Sequence, residues 1–493
     1  MQVLRPARGL LAAGALVALA PRALLAQDGA SAAPPPSLDT TRIDSIVAAG
    51  MTTRRLVGVS VGIMEDGRTV FLKGYGSADL ATGASVSPAT RFAIGSVTKQ
   101  FTSAVILQLA AEGRLSIDDP VSKWLPDLTR AADIRLRDLM GHVSGYPDYY
   151  PLDFVDRRML VPIGADSLAR WYGHQPLDFE PGTRWSYSNT GFIILGRIAE
   201  LVTGRPYAQL LRERVFAPLG MRHTSYEPAR RDASYAQGYA WFGLGDPEPA
   251  EPEAAGWAAA AGGIWSTPED LLIWDRALLE GRVVPAAYLS QMTTPRRLAG
   301  GASTNYGFGL SVAVANGDTI WSHGGAVSGF AAQNTVVPRT RSAVVVLSNA
   351  EASVTSGPLV RMAITSPPPA APRDPPRSGP AGPAADPRPV PDVRGLPATD
   401  QAAALFRQIQ AGQLDRAMLG DEFSWWLNED RLRRAAQRLA PLGQASRIDR
   451  LQRVERGGME VTVTRFVFAS RTLVGLMYRT PDGKVQEFLI REQ

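Results

Sequence analysis

The sequence predicts a mixed α/β (α+β) fold: an antiparallel sheet flanked by helices, a helical subdomain inserted between its two parts, and a small α+β domain behind it. Three observations carry this. Apolar residues alternate with small ones at Val57, Val59, Val61 and Ile63, and period-two runs return in strength after Tyr306, so strands bracket one region. Between them, the chain from Leu115 to about Leu219 has helical spacing punctuated by Pro120, Pro126, Pro151 and Pro162. Finally, Ser366 to Pro391 is Pro, Ala, Arg and Gly with almost no large apolar residue, a composition that cannot build a core and so divides the C-terminal region from the rest of the chain.

At the start, Arg5 and Arg8 precede an apolar core from Gly9 to Ala20 and then small residues, which predicts a secretory signal over residues 1–26 with cleavage near Ala26. Its apolar core is too short to span a bilayer, so a periplasmic or secreted protein without a stable membrane span is expected. The chain has no cysteine, hence no lipid anchor and no disulfide, and its stability must come from its core. A net charge of +5 over 493 residues, with arginines scattered among acids, argues against nucleic acid as a partner. The expected domains are 38–365 and 397–493, joined by a Pro-rich linker at 366–396. Oligomeric state is not legible.

Leu38 to Ala49 has the spacing of a first helix, and the alternating run after Val57 turns at Asp66-Gly67 into a hairpin. Gly58-Val59-Ser60-Val61-Gly62 matches the G-x-S-x-G nucleophile elbow. That elbow needs a sharp strand-to-helix turn, however, and Ser60 sits inside a strand; the small residues there suit close packing against a helix.

In Phe92 to Gly113, apolar residues at Val97, Phe101, Ala104, Val105 and Leu109 recur at helical spacing, and Ser96 and Lys99 fall three apart where the helix begins. Such a pair shares one face, so a nucleophile, a base and backbone N–H groups can meet within one turn. The plain alternative is an N-cap serine and a solvated lysine. Lysine usage weighs against it: of 52 basic residues only Lys73, Lys99, Lys123 and Lys484 are lysines, and a buried ammonium, unlike a guanidinium, can lose its proton.

His142, in Leu139-Met140-Gly141-His142-Val143-Ser144-Gly145, has no second histidine at metal spacing and reads as a hydrogen-bonded structural residue. Tyr187 and Asn189 alternate on a loop before a helix from Phe192 to Val202, so a phenol and an amide can point at one spot. Loops before helices are often rich in these residues in any case. Ala259 to Gly263 allows close backbone approach, and Thr267-Pro268-Glu269-Asp270 is a helix start with a cap and first-turn acids. Strands are then expected at Tyr306–Ala315, Thr319–His323, Phe330–Val337 and Ala343–Ser348. After the second, His323-Gly324-Gly325-Ala326 offers a strand edge against which a substrate can lie, and the Ala326 N–H can complete an oxyanion hole with that of Ser96.

Ser96-Val97-Thr98-Lys99, Tyr187-Ser188-Asn189 and His323-Gly324-Gly325, in this order and with these gaps, resemble the active-site motifs of the penicillin-recognising serine hydrolases, specifically the class C β-lactamase, DD-peptidase and esterase branch. The resemblance spans about Ile43 to Ile364. It implies a serine β-lactamase-like fold and an acyl-enzyme mechanism on an ester, amide or D-amino-acid peptide bond. Ser96 would be the nucleophile, Lys99 and Tyr187 the proton relay, Asn189 a holder of substrate amide or relay, and Ser96 and Ala326 the oxyanion donors. The partner would be a small-molecule or peptide substrate, with no metal or organic cofactor. A β-lactamase or DD-carboxypeptidase is one alternative; a non-catalytic cell-wall peptide-binding protein is another.

The third motif departs from the usual Lys-Thr-Gly. With an ordinary pKa near ~6.5, His323 would attract a substrate carboxylate less than lysine by about 1–2 kcal/mol, gaining charge near pH 6, so esters are expected to outrun β-lactams. In the tail, helices at Thr399–Gly412 and Asn428–Leu439 and four alternating runs after Ile448 predict a module similar to cystatin-like or NTF2-like domains, with no catalytic set.

Overall fold

A computed structural model describes residues 38–492 apart from 151, 153, 154, 316 and 352–389. The predicted signal and most of the predicted linker therefore lie outside the described residues. The described residues form one compact unit.

Helix α1 (Thr40–Arg54) is opened by Asp39, whose carboxylate caps the Arg42 N–H, and ends on Arg55 in the left-handed region. Then come strands β1 (Gly58–Glu65), β2 (Arg68–Asp79) and β3 (Ala84–Ser85), followed much later by β4 (Ser311–Ala315), β5 (Asp318–Val327), β6 (Phe330–Val337) and β7 (Ser342–Ser348). They form one antiparallel sheet in the order β3-β2-β1-β7-β6-β5-β4, so the N-terminal hairpin docks on the last strand of the C-terminal meander, Val59 opposite Ser348 and Met64 opposite Ala343. This is the predicted joining of early and late strands. Tyr306–Leu310 was expected to be strand and is not. Gly309 stands at φ +77°, and a Cβ there would lie 2.5 Å from the Lys99 carbonyl oxygen, so the segment leaves the sheet to run against the next helix.

One face of the sheet packs Val59, Val61, Ile63, Val344 and Val346 against Ile43 and Val47 of α1. The other meets α2 (Thr98–Ala111) and α4 (Pro268–Leu279) in the main core, with α3 (Asn189–Thr203) and the shorter helices of the inserted subdomain behind them. Ser60 is fully buried in the interior of β1, and a Cβ on Gly62 would lie 2.9 Å from Pro268 Cβ, so the elbow-like sequence is a strand made thin enough for α4 to approach.

In the C-terminal region, α5 (Ala398–Ala411) and α6 (Glu429–Leu439) pack Leu405, Phe406, Ile409, Leu432 and Leu439 against Phe466, Met477 and Phe488 of a four-stranded antiparallel sheet, β8 (Arg447–Arg456), β9 (Met459–Val467), β10 (Thr472–Arg479) and β11 (Val485–Glu492). This separate core rests on the first region. Leu152, Phe242 and Leu244 pack on it, Phe242 meets Trp426 edge-on at 5.2 Å, and Arg157 pairs with Glu422 at 2.8 Å. Among the described residues no helix is long and apolar enough to cross a membrane.

Candidate active site

Ser96 sits in a 3₁₀ turn, Gly95–Val97, that feeds α2. Gly95 stands at φ +48°, and a Cβ on it would lie 2.7 Å from the Ala326 nitrogen; a Cβ on Gly325 would lie 1.9 Å from Ile94 O and 3.1 Å from Ser96 N. Only glycines let the turn and strand β5 come this close. The backbone N–H groups of Ser96 and Ala326 are thereby neighbours, and Ala326 is exposed, open to a ligand.

Lys99 is fully buried one turn further on. Its Nζ lies 3.0 Å from Ser96 Oγ, 2.7 Å from Asn189 Oδ1 and 2.9 Å from the Ala261 carbonyl oxygen. Burial pulls its pKa from 10.5 down to about 7, opposed by the negative charge of Asp148. A neutral amine has two protons and one lone pair. A carbonyl and an amide oxygen can only accept, so they take the two protons, and the lone pair is left facing the Ser96 hydroxyl.

Asp148 is the residue that sequence reasoning passed over. Its carboxylate accepts from Asn189 Nδ2 at 3.0 Å and from the Asn189 backbone N–H at 3.1 Å. Because a carboxylate only accepts, this fixes Nδ2 toward Asp148 and Oδ1 toward Lys99. Asn189 thus belongs to the relay, its amide occupied on both sides. The signal was present in Pro147-Asp148, a turn dipeptide directly after His142-Val143-Ser144-Gly145-Tyr146, but its partner lies 41 residues away. The Ala261 carbonyl was likewise missed as a lysine ligand.

Tyr187 is in hydrogen-bond contact with Ser96, and its ring passes 4.9 Å from Lys99 Nζ. Burial raises its pKa well above the usual phenol range, so it stays a neutral hydroxyl able to pass a proton rather than a standing phenolate. His142 is the structural residue expected: buried at φ +58°, it accepts the Ser188 N–H on Nδ1 at 3.1 Å and its ring lies 4.3 Å from that of Tyr187.

His323 corrects an expectation. Its side chain is buried, with Nδ1 2.5 Å from the Gly324 carbonyl oxygen and Nε2 2.8 Å from the Tyr306 hydroxyl. The carbonyl only accepts, so Nδ1 carries the proton and Nε2 accepts from Tyr306. Burial, then the neighbouring Lys99, push its pKa from 6.5 down to about 3, so it does not gain charge near pH 6. Gly324 is exposed along the strand edge, where a Cβ would meet only Gln333 Oε1, at 3.3 Å, and the Ala332 carbonyl, at 3.8 Å. All the sequence-predicted site residues, Ser96, Lys99, Tyr187, Asn189 and 323–326, therefore converge on one place.

A family model described as Beta-lactamase matches residues 43–366. A D-aminopeptidase from Brucella canis is 30% identical over 331 residues, 66% of this chain and 63% of that protein, so the chain spans about 63% of that curated relative. The D-stereospecific amidohydrolase from Streptomyces sp. superposes with a TM-score of 0.57 at 28% identity, covering 66% of this chain and 97% of its own. The octameric penicillin-binding protein homologue from Pyrococcus abyssi shares the fold over 92% of this chain and 96% of its own, with a TM-score of 0.59 at 21% identity.

Proposed function

The chain belongs to the beta-lactamase family, and from that premise we propose that it is an exported serine hydrolase that cleaves amide bonds next to D-amino acids, and simple esters, through an acyl-enzyme. The observation that carries this is the fully buried Lys99 amine, its Nζ 3.0 Å from Ser96 Oγ, 2.7 Å from Asn189 Oδ1 and 2.9 Å from the Ala261 carbonyl oxygen, in a setting that lowers its pKa toward neutrality. The names of the Brucella D-aminopeptidase and the Streptomyces D-stereospecific amidohydrolase support the substrate class, and the N-terminal sequence supports export.

In acylation, Ser96 Oγ attacks the substrate carbonyl as its proton moves to Lys99 Nζ. The developing oxyanion lies between the N–H groups of Ser96 and Ala326. The leaving nitrogen takes its proton from the neutral Tyr187 hydroxyl, and the proton that Lys99 took from Ser96 replaces it. A water then enters where the leaving group was, gives its proton to the same relay, and releases the acid. Asp148 holds Asn189, and through it Lys99, in register.

Labelling with a fluorophosphonate probe tests the reading. Ser96 is expected to be the modified residue, with labelling lost in Ser96→Ala and D-phenylalanine amide protecting against it. A native chain that neither takes the probe nor hydrolyses D-phenylalanine amide or a p-nitrophenyl ester would instead be a binding protein on this fold.

A further inference from the structure

The Ala261 carbonyl oxygen that accepts from Lys99 belongs to a segment, 256–263, whose backbone its own residues do not favour. Ala259 stands at φ +34°, in the left-handed region that a residue with a Cβ adopts only when its surroundings force it. Gly256 stands at φ +90°, and a Cβ there would lie 1.8 Å from Ile163 O, so the segment starts pressed against its neighbour. A single helical turn, Ala259–Gly262, follows, and the Gly263 N–H returns to Ala259 O at 2.7 Å. So short and strained a turn has few bonds of its own, yet it must hold one carbonyl 2.9 Å from a lysine nitrogen.

One residue from outside the segment clasps both of its ends. Glu227 Oε1 accepts from the Gly256 N–H at 3.0 Å and from the Ala259 N–H at 3.1 Å, while the Glu227 N–H donates to Gly263 O at 2.8 Å. Glu227 is itself at φ +38°, and a Cβ on Gly263 would lie 2.9 Å from Glu227 Cγ. Two left-handed residues, neither of them glycine, are thus joined by direct hydrogen bonds, as expected where surrounding contacts hold a strained backbone in place. Between the clasped ends the carbonyls turn to α2. Ala260 O accepts from Thr102 Oγ1 at 2.6 Å and Ala261 O from Lys99 Nζ, the two donors lying three residues apart on one helix face.

We propose that Glu227 is a positioning residue for acylation: through its bonds to Gly256, Ala259 and Gly263 it keeps the Ala261 carbonyl oxygen against Lys99, and so keeps that amine directed at Ser96. The inference rests on the reading of Lys99 as the base that takes the Ser96 proton. Asp148 supplies the negative charge that acts on Lys99, so what Glu227 contributes is reach and an accepting oxygen rather than charge.

The test follows the rate of Ser96 labelling by a fluorophosphonate against pH, on the full chain and on Glu227→Gln, Glu227→Asp and Glu227→Ala. Glutamine keeps the reach and an accepting oxygen without the charge, aspartate keeps the charge one methylene short of the two N–H groups, and alanine has neither. Glu227→Gln is expected to stay close to native, and Glu227→Asp and Glu227→Ala to fall roughly tenfold to a hundredfold. Loss of the Ala261 acceptor destabilises the ammonium, so in those two variants the midpoint of the pH profile moves from about 7 toward about 6. A general loosening that let water reach Lys99 would move it up instead. Native rate and midpoint in Glu227→Ala, a Glu227→Gln as impaired as Glu227→Ala, or a fall in rate with the midpoint unmoved or raised overturns the role of Glu227 and leaves the hydrolase standing. If Glu227→Ala does not fold, the comparison of Glu227→Asp with Glu227→Gln carries the test, and equal rates in the two refute it. A native chain that is not labelled at Ser96, or is labelled at a rate independent of pH, removes the reading of Lys99 and this inference with it.

Discussion

Lys99 can be interrogated by pH alone. With its pKa at about 7, the amine is neutral in about 9% of molecules at pH 6 and about 91% at pH 8, and each further step down in pH costs another tenfold. If the neutral amine is the base, the second-order rate of Ser96 acylation rises about tenfold between pH 6 and pH 8 and is about 1% of its plateau at pH 5. Rapid-quench labelling with a fluorophosphonate, whose own reactivity is flat over this range, reads the rate directly. Lys99→Arg keeps the charge and cannot deprotonate, so acylation should fall on the order of 10³ and lose its rise with pH. The same burial predicts a stability effect of definite sign. Below pH 7 the lysine is charged in both native and unfolded chains, and the fall from 10.5 to about 7 corresponds to about 5 kcal/mol held against the fold; above 10.5 it is neutral in both and the cost is gone. Replacing it with methionine removes that cost but also three hydrogen bonds worth about 1 kcal/mol each, so Lys99→Met should be inert yet more stable by about 2 kcal/mol at pH 6, with the advantage gone near about pH 8 and reversed by about 2 kcal/mol at pH 10. A flat acylation rate from pH 5 to 8, or near-native acylation by Lys99→Arg, would refute the assignment of Lys99 as base.

Asp148→Asn removes the charge that opposes Lys99 deprotonation and loosens Asn189; acylation should fall roughly tenfold to a hundredfold and the midpoint of its pH profile should move below 7, which a purely structural defect would not produce. Since His323 stays neutral, the ratio of chromogenic cephalosporin to p-nitrophenyl ester acylation should be constant from pH 8 to pH 6; a rise toward pH 6 would mean that His323 titrates in the site after all. Gly325→Ala drives a methyl to within 1.9 Å of Ile94 O, which separates strand β5 from the Ser96 turn; the chain should remain folded by circular dichroism while acylation drops at least about a hundredfold.

What was legible in the sequence was local. Ser96 and Lys99 show as a pair because a helix turn brings three-apart residues together, and Tyr187 and Asn189 show because an extended loop aligns alternate side chains. The strands were visible by their period, except at Tyr306–Leu310, where close passage against α2 overrides the pattern. What was not legible depends on contacts distant in sequence. Asp148 has no motif of its own until the fold sets it under Asn189. The pKa of His323 is decided by burial and by Lys99, neither of which its neighbours in the chain reveal. The Pro-rich composition at 366–391 suggested two independent bodies and gave no hint that the face of the last sheet rests on Leu152.

The hairpin tip at Gly457 and Gly458 has a consequence for how such a protein diversifies. A Cβ on Gly458 would meet nothing within 4 Å, so at this position space sets no limit on a side chain and only the left-handed backbone does. The acyl-transfer residues hang on α2, α3 and β5, all anchored in the large core, whereas this turn carries none of them. A lineage can therefore change the charge of this surface while the serine, its base and its oxyanion donors keep their places.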